Sequence, residues 1–366
     1  MPTEVIVIGD STNNTLSAIR SFGRAGVRQT LILVCQHDTC NVRHSRYLTT
    51  ADTHVVPNVE EALPILATLQ TPGAKPFLIC TFDAAAVLVD NHEPQLAQHF
   101  VTPCRGRQLG DLFNKDAQCR LAEQCGILVP KSINFSRNDT IESITIPYPL
   151  IIKPINSTKG EKEDIHICHT PGELRQSLNE QSHCENFILQ EFVEKEYELD
   201  CIGVMTDQGM ILPGAVLKHR HWPPLIGAGA YGLFTPVDDQ NINFQGLETF
   251  LKQSGYHGPF SVEFLHKGDK NYFMEVNFRN EGLAYAATVA GANLHARYVD
   301  PSVKIDKVKP TYMMNYSLDF LYVKNGDLPL RTWLRDFLRT RCFINFSLRD
   351  PKPPAAHYYH KPFRRK

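Results

Sequence analysis

The first hydrophobic run of the chain, Val5-Ile6-Val7-Ile8, is β-branched, ends at Gly9 and gives way to small polar residues. Apolar positions then recur three to four apart at Leu16, Ile19, Phe22 and Ala25, and Gly26 closes the pattern. The tight run predicts a strand and the wider spacing a helix, so the chain opens as strand, loop, helix. The alternation continues with a strand from Thr30 to Cys35, a helix from Val59 to Leu69, a strand from Phe77 to Cys80 and a helix from Asp83. Such alternation predicts a parallel α/β domain. Gly9 stands alone where a dinucleotide-binding GxGxxG turn has three glycines, so it reads as a glycine at a strand-to-helix turn.

The pattern changes after a helix from Lys115 to Cys125, stopped by Gly126. β-branched and aromatic runs then dominate: Tyr148 to Lys153, Ile165 to Cys168, Phe187 to Leu189, Glu198 to Met205, Ile211 to Val216, Phe260 to Leu265 and Tyr272 to Val276. They predict a mainly antiparallel α+β region. Near the end, Leu330, Trp333, Leu334, Phe337 and Leu338 form a helical stripe, with Arg331, Arg335 and Arg339 on the other side. This describes an amphipathic helix docked on the core, with a membrane surface or anionic acceptor as the alternative.

Composition narrows the function classes. The 366 residues are enough for two or three domains, and 42% hydrophobic with 21% charged residues excludes a disordered polymer. Thirty-eight basic against 39 acidic residues give a formal charge of -1 and no chain-wide field for nucleic acid, so no nucleic-acid partner is expected. Ten scattered cysteines without a CxxC pair read as reduced thiols. The beginning carries Glu4 and no basic stretch, and no apolar run suits a spanning helix, so a cytoplasmic location without a transmembrane segment is expected. His219 and His221 lack the spacing of a tetrahedral zinc site and read as a polar surface pair.

The sharpest chemical signal is Phe260-Ser261-Val262-Glu263-Phe264, a turn at Gly268-Asp269, and then Glu275-Val276-Asn277-Phe278-Arg279. Alternation puts Glu275, Asn277 and Arg279 on one face, and a hairpin can set Glu263 opposite Glu275. Two carboxylates and an amide oxygen suit Mg²⁺, while a solvated polar face would give the same spacing. Lys115 opens a helix and Lys153 ends a strand against Pro154. Asn156-Ser157-Thr158-Lys159-Gly160 is a small polar loop able to offer donors to phosphates. Glu191-Phe192-Val193, followed by Glu198, can present acceptors and a backbone donor to a base and a sugar, or form only an acidic loop.

In this order the segments resemble the ATP-grasp superfamily over roughly residues 1 to 300. The resemblance is carried by Lys115 with Gly126-Ile127-Leu128-Val129-Pro130, Lys153-Pro154, Glu191 to Val193, and Glu263 followed twelve positions later by Glu275-x-Asn277-x-Arg279. It implies a pre-ATP-grasp α/β domain at 1–110 and an ATP-grasp domain at 111–310, with small and large lobes at about 130–192 and 193–310. Residues 311–366 are then a C-terminal extension. It implies that Lys115, Lys153 and the loop residues Ser157, Lys159 and Gly160 hold ATP phosphates. Glu191, Phe192 and Val193 would hold the adenine and Glu198 the ribose. Glu263, Glu275 and Asn277 would bind one or two Mg²⁺, for which Mn²⁺ can substitute, and Arg279 would stabilise charge on an activated carboxyl group. The loop departs from the family in having Gly160 alone, and Asn114 stands where Asp is frequent.

Arg20 to Val27, Ser45-Arg46-Tyr47 and Asp350-Pro351-Lys352-Pro353 look like the carboxylate–amine ligase branch that includes D-aspartate ligase-like proteins. That branch implies phosphorylation of a carboxylate to an acyl phosphate, capture by an amine, and release of ADP and phosphate. Small carboxylates and amines are the expected partners, an amino acid or cell-envelope precursor among them. Lys218, Arg220 and a loop from Gly227 to Gly232 are assigned to the acceptor or carboxylate, against a structural glycine loop with solvated bases. A nucleotide sensor without turnover remains an alternative. Carbamoyl-phosphate-type chemistry is another, although no glutaminase segment or duplicated half is present.

Overall fold

The computed structural model describes residues 4–36, 40–106, 109–154, 165–182, 184–224, 227–237, 242–305 and 307–353. Strands β1 (Val5–Gly9), β2 (Gln29–Val34), β3 (Thr53–Val56) and β4 (Phe77–Cys80) form a parallel sheet in the order β3-β2-β1-β4. Every residue of β1 is buried, because parallel strands are covered on both faces. Helix α1 (Asn13–Arg24) begins where the Thr12 side chain accepts from Asn14 N and stops before Gly26, whose φ is 75°. α2 (Ala62–Thr68), α3 (Asp83–Asn91) and α4 (Glu93–Leu96) complete this layer. Of these four strands β3 lacked a sequence signal; it is four residues long, mostly uncovered and at the sheet edge.

Helix α5 (Lys115–Gln124) leads to a second sheet of β5 (Ser132–Ser136), β6 (Leu150–Pro154), β7 (His166–Cys168) and β8 (Asn186–Glu191), with α6 (Pro171–Glu180) against it. The order is β5-β8-β6-β7, antiparallel throughout. Its buried cluster, including Phe135, Leu150, Ile152, Leu174, Phe187 and Leu189, draws on this segment alone.

The third sheet contains β9 (Tyr197–Thr206), β10 (Gly209–Trp222), β11 (Ala228–Thr235), β12 (Gly258–Lys267), β13 (Lys270–Asn277), β14 (Thr311–Met314) and β15 (Cys342–Phe343). Their order is β13-β12-β9-β10-β11-β14-β15, and only the last pair is parallel. Helices α7 (Phe244–Ser254), α8 (Ala284–Ala290), α9 (Leu294–Val299), α10 (Tyr316–Lys324) and α11 (Leu330–Arg339) accompany it. Two buried clusters fuse this sheet to the N-terminal one: Ile6 and Leu78 share a cluster with Val262 and Phe273, and Val5 and Val7 share one with Ile202 and Val216.

Two expectations are corrected and two are filled in. The segment from Gly227 to Gly232 is largely strand β11, not a loop; a Cβ on Gly232 would lie 2.5 Å from Leu217 O, so this glycine serves close strand packing. The C-terminal extension supplies β14 and β15 to the large sheet. In α11, Trp333 is buried and Phe337 packs beside it, but Leu330, Leu334 and Leu338 are exposed, so the apolar stripe is only half covered. Cys35 and Cys40 are joined as a disulfide, with their Cα atoms 6.6 Å apart; the other eight cysteines are free thiols. Among the described residues, no helix is long and apolar enough to cross a membrane.

Candidate active site

The hairpin of β12 and β13 buries Phe260, Val262, Phe273 and Val276 against the core, which turns the intervening polar side chains to the opposite face. Regular pairing would not set the two glutamates opposite one another. Phe264 pairs with Phe273, whereas Glu263 pairs with Glu275, so the register shifts by one residue and Met274 is the extra position. That bulge brings Glu275 across from Glu263 and Asn277 across from Ser261. On the other side of β12, Glu263 pairs with Asp200 of β9. Three carboxylates therefore stand in one row across three strands.

Cations close both ends of the row. Lys115 Nζ, on the first turn of α5, lies 2.6 Å from Glu275. At the other end Lys218 Nζ, only 5% exposed, lies 3.1 Å from Glu263, 3.5 Å from Asp200 and 3.6 Å from Glu198. Burial alone would strip the Lys218 proton, but Asp200, Glu263, Glu281 and Glu198 outweigh it and hold the ammonium well above its ordinary range. One lysine cannot offset all its neighbours. Burial and Glu281 push Asp200 well above the carboxylate range against Lys218, and burial likewise raises Glu263, opposed by Lys218 and reinforced by Glu281 and Glu275.

Two further contacts fix the row. Gln118 of α5 donates to Val276 O (3.1 Å) and accepts from Val276 N (2.6 Å), tying α5 to β13 between Glu275 and Asn277. Arg279 donates to Asn277 Oδ1 (2.9 Å) and to Asp83 Oδ1 (2.6 Å), the latter just past β4. Asn280 N reaches Cys80 O at 2.9 Å, and Gly282 N donates to Asn14 Oδ1 at 2.8 Å. The carboxyl ends of β1 and β4 thus abut the segment after β13, where open α/β sheets form their ligand crevices.

No protein-family model matches the sequence. A D-aspartate ligase from Enterococcus faecium (strain Aus0004) is 22% identical over 344 residues, covering 85% of this chain and 80% of that protein. N5-carboxyaminoimidazole synthetase from Staphylococcus aureus superposes with a TM-score of 0.65 at 13% identity, over 90% of this chain and 87% of its own. Its complex with ADP gives 0.63 at 14% identity, over the same shares. The chain has the ATP-grasp fold. An L-amino acid ligase from Bacillus licheniformis shares it, with a TM-score of 0.60 at 13% identity over 85% of this chain and 79% of that one.

Within this ATP-grasp fold the candidate residues separate. Glu263, Glu275, Asn277, Arg279, Lys115 and Lys218 converge on the carboxylate row. Lys153, on β6 of the small sheet, reaches Asp116 of α5 at 3.3 Å. Glu191 ends β8, where its N donates to Lys131 O and its carboxylate accepts from Lys131 N (3.3 Å). Phe192 N donates to Pro149 O, and Val193 is buried. Glu198 is held by Lys195, by His221 Nε2 at 2.9 Å and by Lys218. Burial raises its pKa, but the His221 hydrogen bond and the charges of Lys218 and Lys195 carry it down to about 2. Ser157, Lys159 and Gly160 lie outside the described residues.

Arg220 parts from Lys218. A bulge at His219 pairs Lys218 with Gly232 and Arg220 with Tyr231, consecutive residues that face opposite sides of the sheet. Arg220 is bound by Asp319 of α10 (2.8 and 2.9 Å) and Asp336 of α11 (2.8 Å), and its guanidinium lies over Tyr231. It fastens the C-terminal helices to the sheet. Gln118, Asp200 and Glu281 escaped the sequence reading. Asp200 was legible as the second of the alternating acids Glu198 and Asp200, whereas nothing in the order of residues points Gln118 at Val276.

Proposed function

We propose that this chain is an ATP-dependent ligase that activates a carboxylate by phosphorylation and joins it to an amine, releasing ADP and phosphate. The observation that carries the reading is the pairing of Glu263 with Glu275, with Asn277 beside them and Lys115 at 2.6 Å. A face of oxygen donors bordered by lysines fits a magnesium–triphosphate. The ligase names of the D-aspartate and L-amino acid ligases support carbon–nitrogen bond formation, and the ADP complex of the Staphylococcus aureus synthetase supports ATP as phosphoryl donor.

A carboxylate resists attack by an amine because its oxide is a poor leaving group. Transfer of the γ-phosphoryl group to a carboxylate oxygen forms a phosphate leaving group, which the amine nitrogen then displaces from the carbonyl carbon. The catalyst's task is to position the reactants and neutralise charge. Glu263, Glu275 and Asn277 would hold Mg²⁺, which when bound neutralises the phosphates. Lys115 exchanges its Glu275 partner for phosphate, and Lys153 approaches from the small sheet. Glu191, Phe192 and Val193 receive the base, and Glu198 lies towards the sugar. Arg279, fixed by Asp83 and Asn277, faces the carboxyl group, and Lys218 holds Glu263 in place. The carboxylate and amine are small molecules, and the amino acids named by the two ligases are the first candidates.

Phosphate release with Mg·ATP across carboxylates paired with amino acids tests the reading. Release should occur only with particular pairs, and the carboxylate alone plus hydroxylamine should give a hydroxamate. Glu275→Gln should abolish both while leaving metal-free nucleotide binding. Tight ATP binding without release for any pair would replace the ligase with a nucleotide sensor.

A further inference from the structure

The carboxylate row continues beyond the hairpin. Asp200, Glu263 and Glu281 each offer an oxygen within 4.8 Å of the others. Asp200 is 0% exposed, yet neither of its carboxylate oxygens receives a hydrogen bond; its contact is Lys218 Nζ at 3.5 Å. Glu281 Oε2 is also buried and without a hydrogen-bond partner. Leaving such oxygens unsatisfied away from water is costly, and within this cluster the hydrogen bond of Lys218 Nζ goes to Glu263, with Asp200 at 3.5 Å. When all three are ionised, Asp200, Glu263 and Glu281 exceed the single charge of Lys218, which Glu198 also shares, and a divalent cation would offset the excess. Oxygen donors at this mutual spacing suit a hard cation with bonds of about 2.1 to 2.6 Å.

We propose that Asp200, Glu263 and Glu281 form a divalent-cation site that fills without nucleotide and is separate from the Glu275–Asn277 end of the hairpin. It goes beyond the ligase reading, since it requires neither ATP nor turnover. Its ligands come from β9, β12 and the segment after β13, next to Gly282, which is bonded to Asn14 of the N-terminal layer. The ion therefore ties the large sheet to the crevice at the carboxyl ends of β1 and β4. The two sets share Glu263, and this one adds Asp200 and Glu281 where the hairpin set has Glu275 and Asn277.

The experiment is a Mn²⁺ titration of the full chain without nucleotide, following the free-ion signal by electron paramagnetic resonance. One Mn²⁺ per chain should bind. Asp200→Asn and Glu281→Gln should each weaken it by about tenfold or more, and Glu275→Gln should leave it nearly unchanged. Mn²⁺ should also raise the melting temperature of the wild type but not of Glu281→Gln, whose partly exposed position keeps the test open if Asp200→Asn fails to fold. The proposal is overturned if the folded wild type binds no Mn²⁺ without nucleotide, as two acids sharing a proton would require. It is equally overturned if binding survives Asp200→Asn and Glu281→Gln but disappears in Glu275→Gln. Hydroxamate formation by the same preparation would stand through either failure, so the ligase reading is judged separately.

Discussion

Arg20 and Asp350 are 330 residues apart in sequence and 3.0 Å apart in space, with side chains 0% and 1% exposed. Arg20 also donates to Ile344 O, and Asp350 accepts from Ser45 Oγ and Arg46 N. The three short segments that carry the weaker family resemblance in sequence thus meet at one buried charge pair. Asp350→Ala would leave a buried guanidinium without its counter-ion, and the chain should lose about 3 to 5 kcal/mol of stability. Urea unfolding of the variant checks this; a loss below about 1 kcal/mol would show that water reaches Arg20.

Gln118 offers a way to disturb the hairpin without touching a carboxylate. Gln118→Ala removes both bonds to Val276 and leaves a buried N–H and C=O unpaired, at about 1 to 3 kcal/mol each before relaxation. Turnover should fall at least tenfold in a folded protein, while affinity for metal-free nucleotide changes little. Equal losses in both would mean that Gln118 supports the fold alone.

Arg279→Lys keeps the charge but loses the planar fork that reaches Asp83 and Asn277 together. Hydroxamate formation should drop by about two orders of magnitude, with nucleotide binding preserved. Full hydroxamate yield in this variant would remove Arg279 from the reacting carboxyl group.

His295 is fully buried, hydrogen-bonded to Asn280 Oδ1 at 2.7 Å, and burial pushes its pKa down from 6.5 to about 3. The unfolded chain therefore takes up a proton below pH 6.5 that the folded chain refuses until about pH 3. Its contribution to stability is complete above pH 6.5 and declines as the pH falls to about 3. The unfolding free energy of the wild type should fall relative to His295→Gln by about 1.4 kcal/mol per pH unit across that window. Parallel pH profiles for the two proteins would show that His295 is protonated inside the fold.

The alternating layer and the polar hairpin were legible because local patterns encode them: β-branched runs before helix caps, and polar positions two apart in Glu275, Asn277 and Arg279. What escaped depends on long-range pairing. The bulge at Met274 decides that Glu263 meets Glu275, and the bulge at His219 decides that Arg220 leaves Lys218, yet neither residue type marks a bulge. β11 looked like a loop because two of its eight residues, Gly229 and Gly232, are glycine and Gly227 precedes it, and only its neighbours reveal Gly232 as a packing device. Glu281 lies in an irregular segment without periodicity, so only the fold brings it to Asp200.

The small sheet keeps a private core, with Leu150, Ile152, Phe187 and Leu189 touching no cluster but their own. A rotation of this sheet against the large one would consequently break no packed interior among the described residues, and the contacts exchanged would lie along a polar seam such as Lys153 to Asp116. Lys153, held on β6, would move with the sheet rather than as a free side chain. Hydrogen exchange would register the difference, with amides of β6 and β8 opening together as one cooperative unit at a free energy distinct from that of the fused N-terminal and large sheets.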